Sequence, residues 1–176
     1  MDLINHFSQK RTSENLAQAV AYIGFNKGRF KELMTLFFSP DDKLSARAAH
    51  AVSHCVDRTP NLLIPYISTI VAHLDEQPNV AVKRNIVRLL QSQTIPKEAQ
   101  GTLTTHCFDF LQDSKEAVAV KAFSMTILVN MCHSYPELIN ELALVIQDLM
   151  ENGSSGIKNR GLKTLAQLKK MSSSLN

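Results

Sequence analysis

The sequence predicts an all-α protein, a short right-handed α–α superhelix of about four to five helical hairpins. Three markers recur in register, and self-similarity at a period of roughly 20–50 residues is typical of helical solenoids. An apolar–basic pair repeats with its basic residues 36, 38 and 37 positions apart, and an apolar residue lies nine or ten positions before each of them. Prolines open successive units at spacings of 36 and 40 residues. The markers are Arg47, Lys83, Lys121 and Lys158; Phe38, Leu74, Leu111 and Leu149; and Pro60, Pro96 and Pro136.

These markers indicate one domain, residues 1–176, divided into repeats. A chain of 176 residues is long enough to bury a sizeable core. We expect N-terminal cap helices within residues 1–26, followed by four repeats that cover roughly residues 28–59, 60–95, 96–135 and 136–171.

The start of each second helix carries a family resemblance. The stretches 44–49, 80–84 and 118–122 read Leu-Ser-Ala-Arg-Ala-Ala, Val-Ala-Val-Lys-Arg and Val-Ala-Val-Lys-Ala. They resemble the inner helix of HEAT repeats, in which a turn with Asp or Pro joins an outer helix to an inner helix that begins with Val-Arg or Val-Lys. The resemblance covers about residues 28–170 and implies a solenoid whose inner helices line a concave face. Armadillo-type repeats are the alternative within the same architecture.

Apolar spacing and capping residues predict the individual helices. Thr12 or Ser13 caps the second helix, and Pro65 is expected to kink the fifth, because proline lacks the N–H that a helix interior uses. The helix over 115–133 is expected to be the most buried. In the last helix, Ile157, Leu162, Leu165 and Leu168 form the expected apolar stripe. The predicted helices cover residues 1–9, 13–25, 28–38, 42–57, 61–76, 79–92, 97–112, 115–133, 137–151 and 156–171.

Composition excludes several classes of protein. A hydrophobic content of 44% argues against disorder, and no run of about 20 apolar residues could span a membrane. The N-terminal residues lack the basic and apolar regions of a secretion signal. Three cysteines, Cys55, Cys107 and Cys132, fall inside helical patterns and are expected to be reduced core thiols of a cytoplasmic protein.

The recurring basic residues are expected to form a structural ion-pair ladder between repeats. A cation near a helix N-terminus is unfavourable unless it is paired. Arg47, Lys83, Lys121 and Lys158 each follow a turn that contains acids. A row of cations that binds phosphates is the alternative interpretation. The expected acidic partners are, in order, Asp41 or Asp42, Asp75 or Glu76, Asp113, and Asp148 or Glu151.

A second set of basic residues is the better candidate for binding a partner. These residues lack acids nearby in the sequence, and no acid occurs between Asn152 and Asn176. On a concave face, such residues would contact another protein with an acidic surface. The candidate partner-binding residues are these four cations, Arg84, Arg88, Arg160 and Lys163, together with Asn85 of the same inner helix as Arg84.

No motif for chemistry is present. The sequence lacks a phosphate loop, a nucleophile elbow and a dinucleotide fingerprint, so we expect no enzyme activity and no cofactor. His50 and His54 lie four residues apart, as two metal ligands could, but no third ligand is predictable. His54 replaces an aliphatic residue of the other repeats and is expected to lie in the core, so no metal site is predicted.

The sequence therefore predicts a non-catalytic protein-binding module or scaffold that uses the concave face of the solenoid. The alternative is binding of the DNA backbone through a basic groove, which resembles the use of this face in HEAT-like DNA alkylation repair proteins. The absence of Trp argues against glycosylase chemistry, because those proteins rely on aromatic and acidic residues in the groove, but it leaves binding of the DNA backbone open. Self-association through an exposed apolar end is a further possibility.

Overall fold

A computed structural model describes residues 1–9 and 12–174, and the regular structure in these ranges is entirely helical. The predicted all-α class is confirmed. For most helices, the first and last residues in the structure lie within about three residues of those predicted from the sequence. Among the described residues the α-helices are α1 Leu3–Ser8, α2 Ser13–Ile23, α3 Lys27–Phe37, α4 Asp42–Arg58, α5 Ile67–Ala72, α6 Val80–Leu90, α7 Lys97–Gln112, α8 Val118–Cys132, α9 Leu138–Glu151 and α10 Ser155–Ser173.

Side-chain caps fix several helix starts. The first backbone N–H groups of a helix have no partner within the helix, so an oxygen on the preceding residue stabilises them. Thr12 Oγ1 accepts a hydrogen bond from the Asn15 N–H at 3.0 Å, which selects Thr12 over Ser13 as the cap of α2. Asp2, Asn26, Asp41 and Ser154 cap α1, α3, α4 and α10 in the same manner.

The segment from Pro60 to Glu76 is more broken than the sequence predicted. One kinked helix was expected over 61–76, but only the six residues of α5 are α-helical. Three 3-10 segments, Pro60–Leu62, Ile64–Tyr66 and His73–Glu76, make up the rest. Pro65 lies in the second of them, where its missing N–H and its ring prevent the continuous hydrogen bonding of an α-helix.

The chain folds into two compact units, Met1–Leu89 and Leu90–Asn176. In the first unit, the aromatic face of α3 packs on α4. Ala48, Ala49 and Ala51 of α4 are fully buried, and their small side chains allow α1, α2 and α3 to approach it closely. Phe30 and Phe37 fill the space between α3 and its neighbours.

In the second unit, α8 is the central helix and packs against α7, α9 and α10. Its buried positions outnumber those of every other described helix, as the sequence predicted. The buried residues of α8 are Val120, Lys121, Ser124, Met125, Ile127, Leu128, Val129, Met131 and Cys132.

The rotation of α10 about its axis differs from the prediction. Leu162 was expected in the apolar stripe, but 61% of it is exposed, and Leu165 is only half-buried. The buried side consists of Ile157, Gly161, Thr164 and Leu168. Gly161 faces α9 so closely that a Cβ there would lie 2.7 Å from Met150 Cγ. Gly161 therefore lies at the close contact of α9 and α10, where any larger residue would displace the Met150 side chain, and Leu162 points to the opposite, exposed side of α10.

Two glycine substitutions test this close contact. Gly101 lies in α7 with open space around it, so Gly101→Ala should raise the free energy of unfolding by about 0.5–1 kcal/mol through better helix propensity. Gly161→Ala brings the same propensity gain, but it forces the Met150 side chain to move and crowds Ile146, so the cost of these shifts offsets much or all of that gain. Urea unfolding followed by circular dichroism should rank Gly161→Ala as the less stable variant. Equal stabilisation by both substitutions would contradict the tight α9–α10 contact.

Candidate functional site

Two of the four recurring cations contact backbone carbonyls. The Arg47 guanidinium donates from Nη1 to the carbonyl oxygens of Phe7 and Gln9, at the C-terminal end of α1, with 2.6 Å to Gln9 O. The buried Lys121 ammonium donates to Leu111 O at 3.2 Å, in the last turn of α7. Each cation therefore joins its helix to the end of another helix.

These contacts correct the expected ion pairs of Arg47 and Lys121. The last carbonyls of a helix have no partner within the helix and lie at its negative end, so a cation is favoured there. The expected acids serve in their own turns instead. Asp41 accepts hydrogen bonds from the N–H groups of Lys43 and Leu44, and Asp113 accepts one from the N–H of Lys115, each at 2.9 Å. Lys83 is half-buried and Lys158 is exposed.

Asn85, predicted to contact a partner, is buried. Its Oδ1 accepts a hydrogen bond from the Ser53 hydroxyl at 2.8 Å, and its Nδ2 donates to the carbonyl of Ala81 at 2.8 Å. Because Ser53 belongs to α4, this pair connects α4 with α6. The side chain is used inside the unit, and the prediction that it meets a partner is wrong.

Arg88 and Arg160 are also engaged within the chain. Arg88 forms an ion pair with Asp57 at 2.7 Å, between α6 and α4, and both side chains are partly exposed. The guanidinium of Arg160 donates to the Thr126 hydroxyl and joins α10 to α8. Of the predicted partner-binding residues, Arg84 and Lys163 are exposed, in the first and the second unit respectively.

A continuous surface in the second unit surrounds the Arg160–Thr126 contact. Residues at spacings of three and four share one side of a helix. On α8 such a side carries partly exposed small and apolar residues, and on α10 it carries mostly basic residues. We call this the α8–α10 surface. It comprises Ala119, Phe123, Thr126 and Asn130 of α8, and Arg160, Lys163, Gln167 and Lys170 of α10.

Sequence reasoning found the basic half of this surface and missed the α8 half. Phe123 and Asn130 lie in a strongly apolar helix whose few polar residues form no continuous stripe, so the sequence does not single them out. The signal that could have found them is the spacing of Ala119, Phe123, Thr126 and Asn130 by four, three and four residues. Asn130 Nδ2 donates to the carbonyl of Gln91 at 2.8 Å, which fixes one end of the surface.

The histidine pair lies near the surface of the first unit. His54 is exposed, which contradicts its expected core position, and its Nε2 lies 3.3 Å from Nε2 of the half-buried His50. In the part of the chain that the structure describes, no group of three or more His, Cys, Asp or Glu side chains could hold a metal ion. Nor is any helix of that part long and apolar enough to cross a membrane.

The three cysteines are free and buried, as the sequence predicted for core thiols. Burial disfavours the charged thiolate and raises the pKa of Cys55 to about 11, of Cys107 to about 12 and of Cys132 to about 11. Nucleophilic attack requires the thiolate. At neutral pH these thiols stay protonated and are poor nucleophiles.

Comparison with known proteins gives one informative match. A family model described as a HEAT repeat domain matches residues 3–168. No curated protein and no solved structure matches the chain. HEAT repeats are generally scaffolds for protein interactions.

The internal role of Asn85 can be separated from a surface role. Asn85→Ala should lower the free energy of unfolding by about 1–3 kcal/mol, because the buried Ser53 hydroxyl loses its acceptor. Arg84→Ala changes an exposed neighbour on the same helix. Its free energy of unfolding should lie within about 0.5 kcal/mol of that of the unsubstituted protein. Chemical denaturation of both variants gives the comparison. If Asn85→Ala proves as mild as Arg84→Ala, the buried pair does not stabilise the unit.

Thiol burial also predicts a pH dependence of stability. The pKa of Cys107 rises on folding from its ordinary 9.0 to about 12, so between pH 9 and about 11 the unfolded chain loses this proton while the folded chain keeps it. The contribution of the protonated thiol to the free energy of unfolding is therefore fully present below pH 9, and above pH 9 it falls by about 1.4 kcal/mol per pH unit. Chemical denaturation at pH 8 to 11 gives the free energy of unfolding as a function of pH. Above pH 9 this free energy should fall less steeply in Cys107→Ala than in the unsubstituted protein, by the amount given above. An unchanged slope would mean that the thiol is not desolvated.

Proposed function

Because the chain belongs to the HEAT repeat family, we propose that it is a non-catalytic protein-binding module whose α8–α10 surface binds an acidic segment of another protein. The observation that carries this proposal is the charge of the two helices. Neither α8 nor α10 contains Asp or Glu, whereas Arg160, Lys163 and Lys170 all lie on this surface. A positive surface with no acid on its own helices favours an acidic partner.

Shape supports the same interpretation. Phe123 is half-buried in the α8 half of the surface, with Ala119 and Thr126 one turn away on either side. Binding surfaces of proteins commonly combine an aromatic anchor with a polar or charged rim. The Arg160–Thr126 hydrogen bond holds the two halves together before a partner arrives, so little ordering is needed on binding. We infer that the partner segment presents an apolar side chain to Phe123 and carboxylates to α10.

Arg84 is a separate candidate contact on the first unit. It is exposed on α6, and no ion pair or hydrogen bond of its side chain occurs among the described residues. We therefore keep Arg84 in the proposal as a second cationic contact, to be tested by itself.

An acidic protein segment fits the α8–α10 surface better than nucleic acid does. Binding of a nucleic acid backbone depends on many phosphate contacts, and this surface offers three cations. Single-strand binding relies on a series of stacking aromatics, and Phe123 is the one aromatic on this surface. The DNA-backbone alternative therefore serves as a competing outcome of the binding experiment.

The test uses a labelled amphipathic peptide with Glu and Leu at helical spacing, and fluorescence anisotropy as the readout. The double variant Lys163→Glu with Lys170→Glu should weaken binding by roughly 10–100-fold, because two attractive contacts become repulsive. The matched control is Lys97→Glu with Lys115→Glu, which makes the same charge change at exposed positions outside the surface. The control should retain nearly full affinity. Arg84→Glu, measured separately, reports on the first unit.

Three results would contradict this proposal. Equal loss of binding in the test and control variants would indicate a response to net charge alone. Equal binding of a peptide with Gln in place of Glu would show that carboxylates are not recognised. A short DNA duplex that binds more tightly than the acidic peptide, with a steep salt dependence, would favour the nucleic-acid alternative.

A further inference from the structure

The α9–α10 hairpin has a second exposed side, distinct from the α8–α10 surface. Leu144 of α9 is 66% exposed and Leu162 of α10 is 61% exposed. Both lie away from the buried sides of their helices, which face each other and the α7–α8 hairpin. Leu165 and Ala166 continue the apolar strip of α10 beside Leu162. No described element covers this side, which we call the hairpin face.

Opposite charges divide between the two helices of the hairpin face. α9 contains three acids, Glu141, Asp148 and Glu151, and no Lys or Arg. α10 contains no acid, and Lys158 and Lys169 flank its apolar strip. These five charged side chains are exposed, and none of them forms an ion pair within the part of the chain that the structure describes.

Acidic residues of α9 and basic residues of α10 also lie at the same positions along the axis of the hairpin. Gly161 lies beside Ile146 and Met150, so it is level with the residues between them on the antiparallel helix. Both helices rise by about 1.5 Å per residue. It follows that Lys158 is level with Glu151, Leu165 with Leu144, and Lys169 with Asn140 and Glu141.

We propose that two copies of the chain associate through the hairpin face. A two-fold axis parallel to the hairpin helices brings α9 of one copy onto α10 of the other, antiparallel and at unchanged height, as in a four-helix bundle. Lys158 then meets Glu151 of the second copy, and Lys169 meets Glu141. Leu144 packs against Leu162 and Leu165 of the second copy. Each contact occurs twice, since the axis exchanges the two copies.

The size of the hairpin face places this dimer among the small protein interfaces. The 14 residues of α9 span about 21 Å, and two helices side by side are about 20 Å wide. Roughly 400–500 Å² is therefore covered on each copy, or about 800–1,000 Å² in total, which is the size of weak and transient interfaces. A dimer of this size, with exposed ion pairs at its ends, is expected to be weak, to need high protein concentration and to weaken further as salt rises.

A charge-exchange experiment tests the arrangement. Lys158→Glu and Glu151→Lys each create like-charged contacts in a symmetric dimer, so each variant alone should dimerise at least about tenfold more weakly than the unsubstituted chain. An equimolar mixture of the two variants should restore dimers, because both contacts are again of opposite charge. Sedimentation velocity over roughly 10–300 µM protein, at low and high salt, measures the dimer fraction.

Lys170→Glu is the matched control, because it changes an exposed lysine of α10 on the α8–α10 surface. It should dimerise normally while it weakens peptide binding, so a failure of this proposal is distinguishable from a failure of the proposed function. A chain that stays monomeric at the highest concentration and low salt would overturn the proposal. So would dimers that persist in either charge variant alone, or a mixture that does not restore them.

Discussion

The second unit depends on one buried charge. The Lys121 ammonium lies inside the protein, where an uncompensated cation would be strongly destabilising, and its hydrogen bond to Leu111 O compensates for part of that desolvation. The contact fixes the start of α8 against the end of α7. Both helices of the following hairpin pack on α8, so their positions depend on this junction. Arg47 joins α4 to the end of α1 in the first unit by the same kind of contact.

Most of the fold could be predicted because helix periodicity and capping are local properties of the sequence. Thr12 and Asp41 cap helices through their own side chains, and most of the buried residues of α8 are its apolar ones. The rotation of α10 could not be predicted, because it depends on how closely α9 approaches Gly161. Leu162 has the same apolar character whether it faces α9 or water. Tertiary packing alone distinguishes the two arrangements.

The candidate site was harder to predict than the fold, because polar side chains carry no sequence mark of their partners. Asn85 and Arg84 are adjacent in a basic stretch, yet Asn85 is buried against Ser53 and Arg84 is exposed. Arg88 is paired with an acid 31 residues away, a separation that inspection of neighbouring sequence overlooks. A cation without nearby acids in the sequence therefore predicts a free surface charge poorly.

The interruption at Pro65 changes what holds the stretch from Pro60 to Glu76 in place. α5 has only six residues, and 3-10 segments flank it on both sides, so the stretch from Pro60 to Glu76 contains no long run of α-helical hydrogen bonds. Cooperative protection from solvent exchange builds up along such runs. Its attachment to the first unit therefore depends on buried apolar side chains, among them Leu63, Ile67 and Ile70, and not on the cooperativity of a long helix.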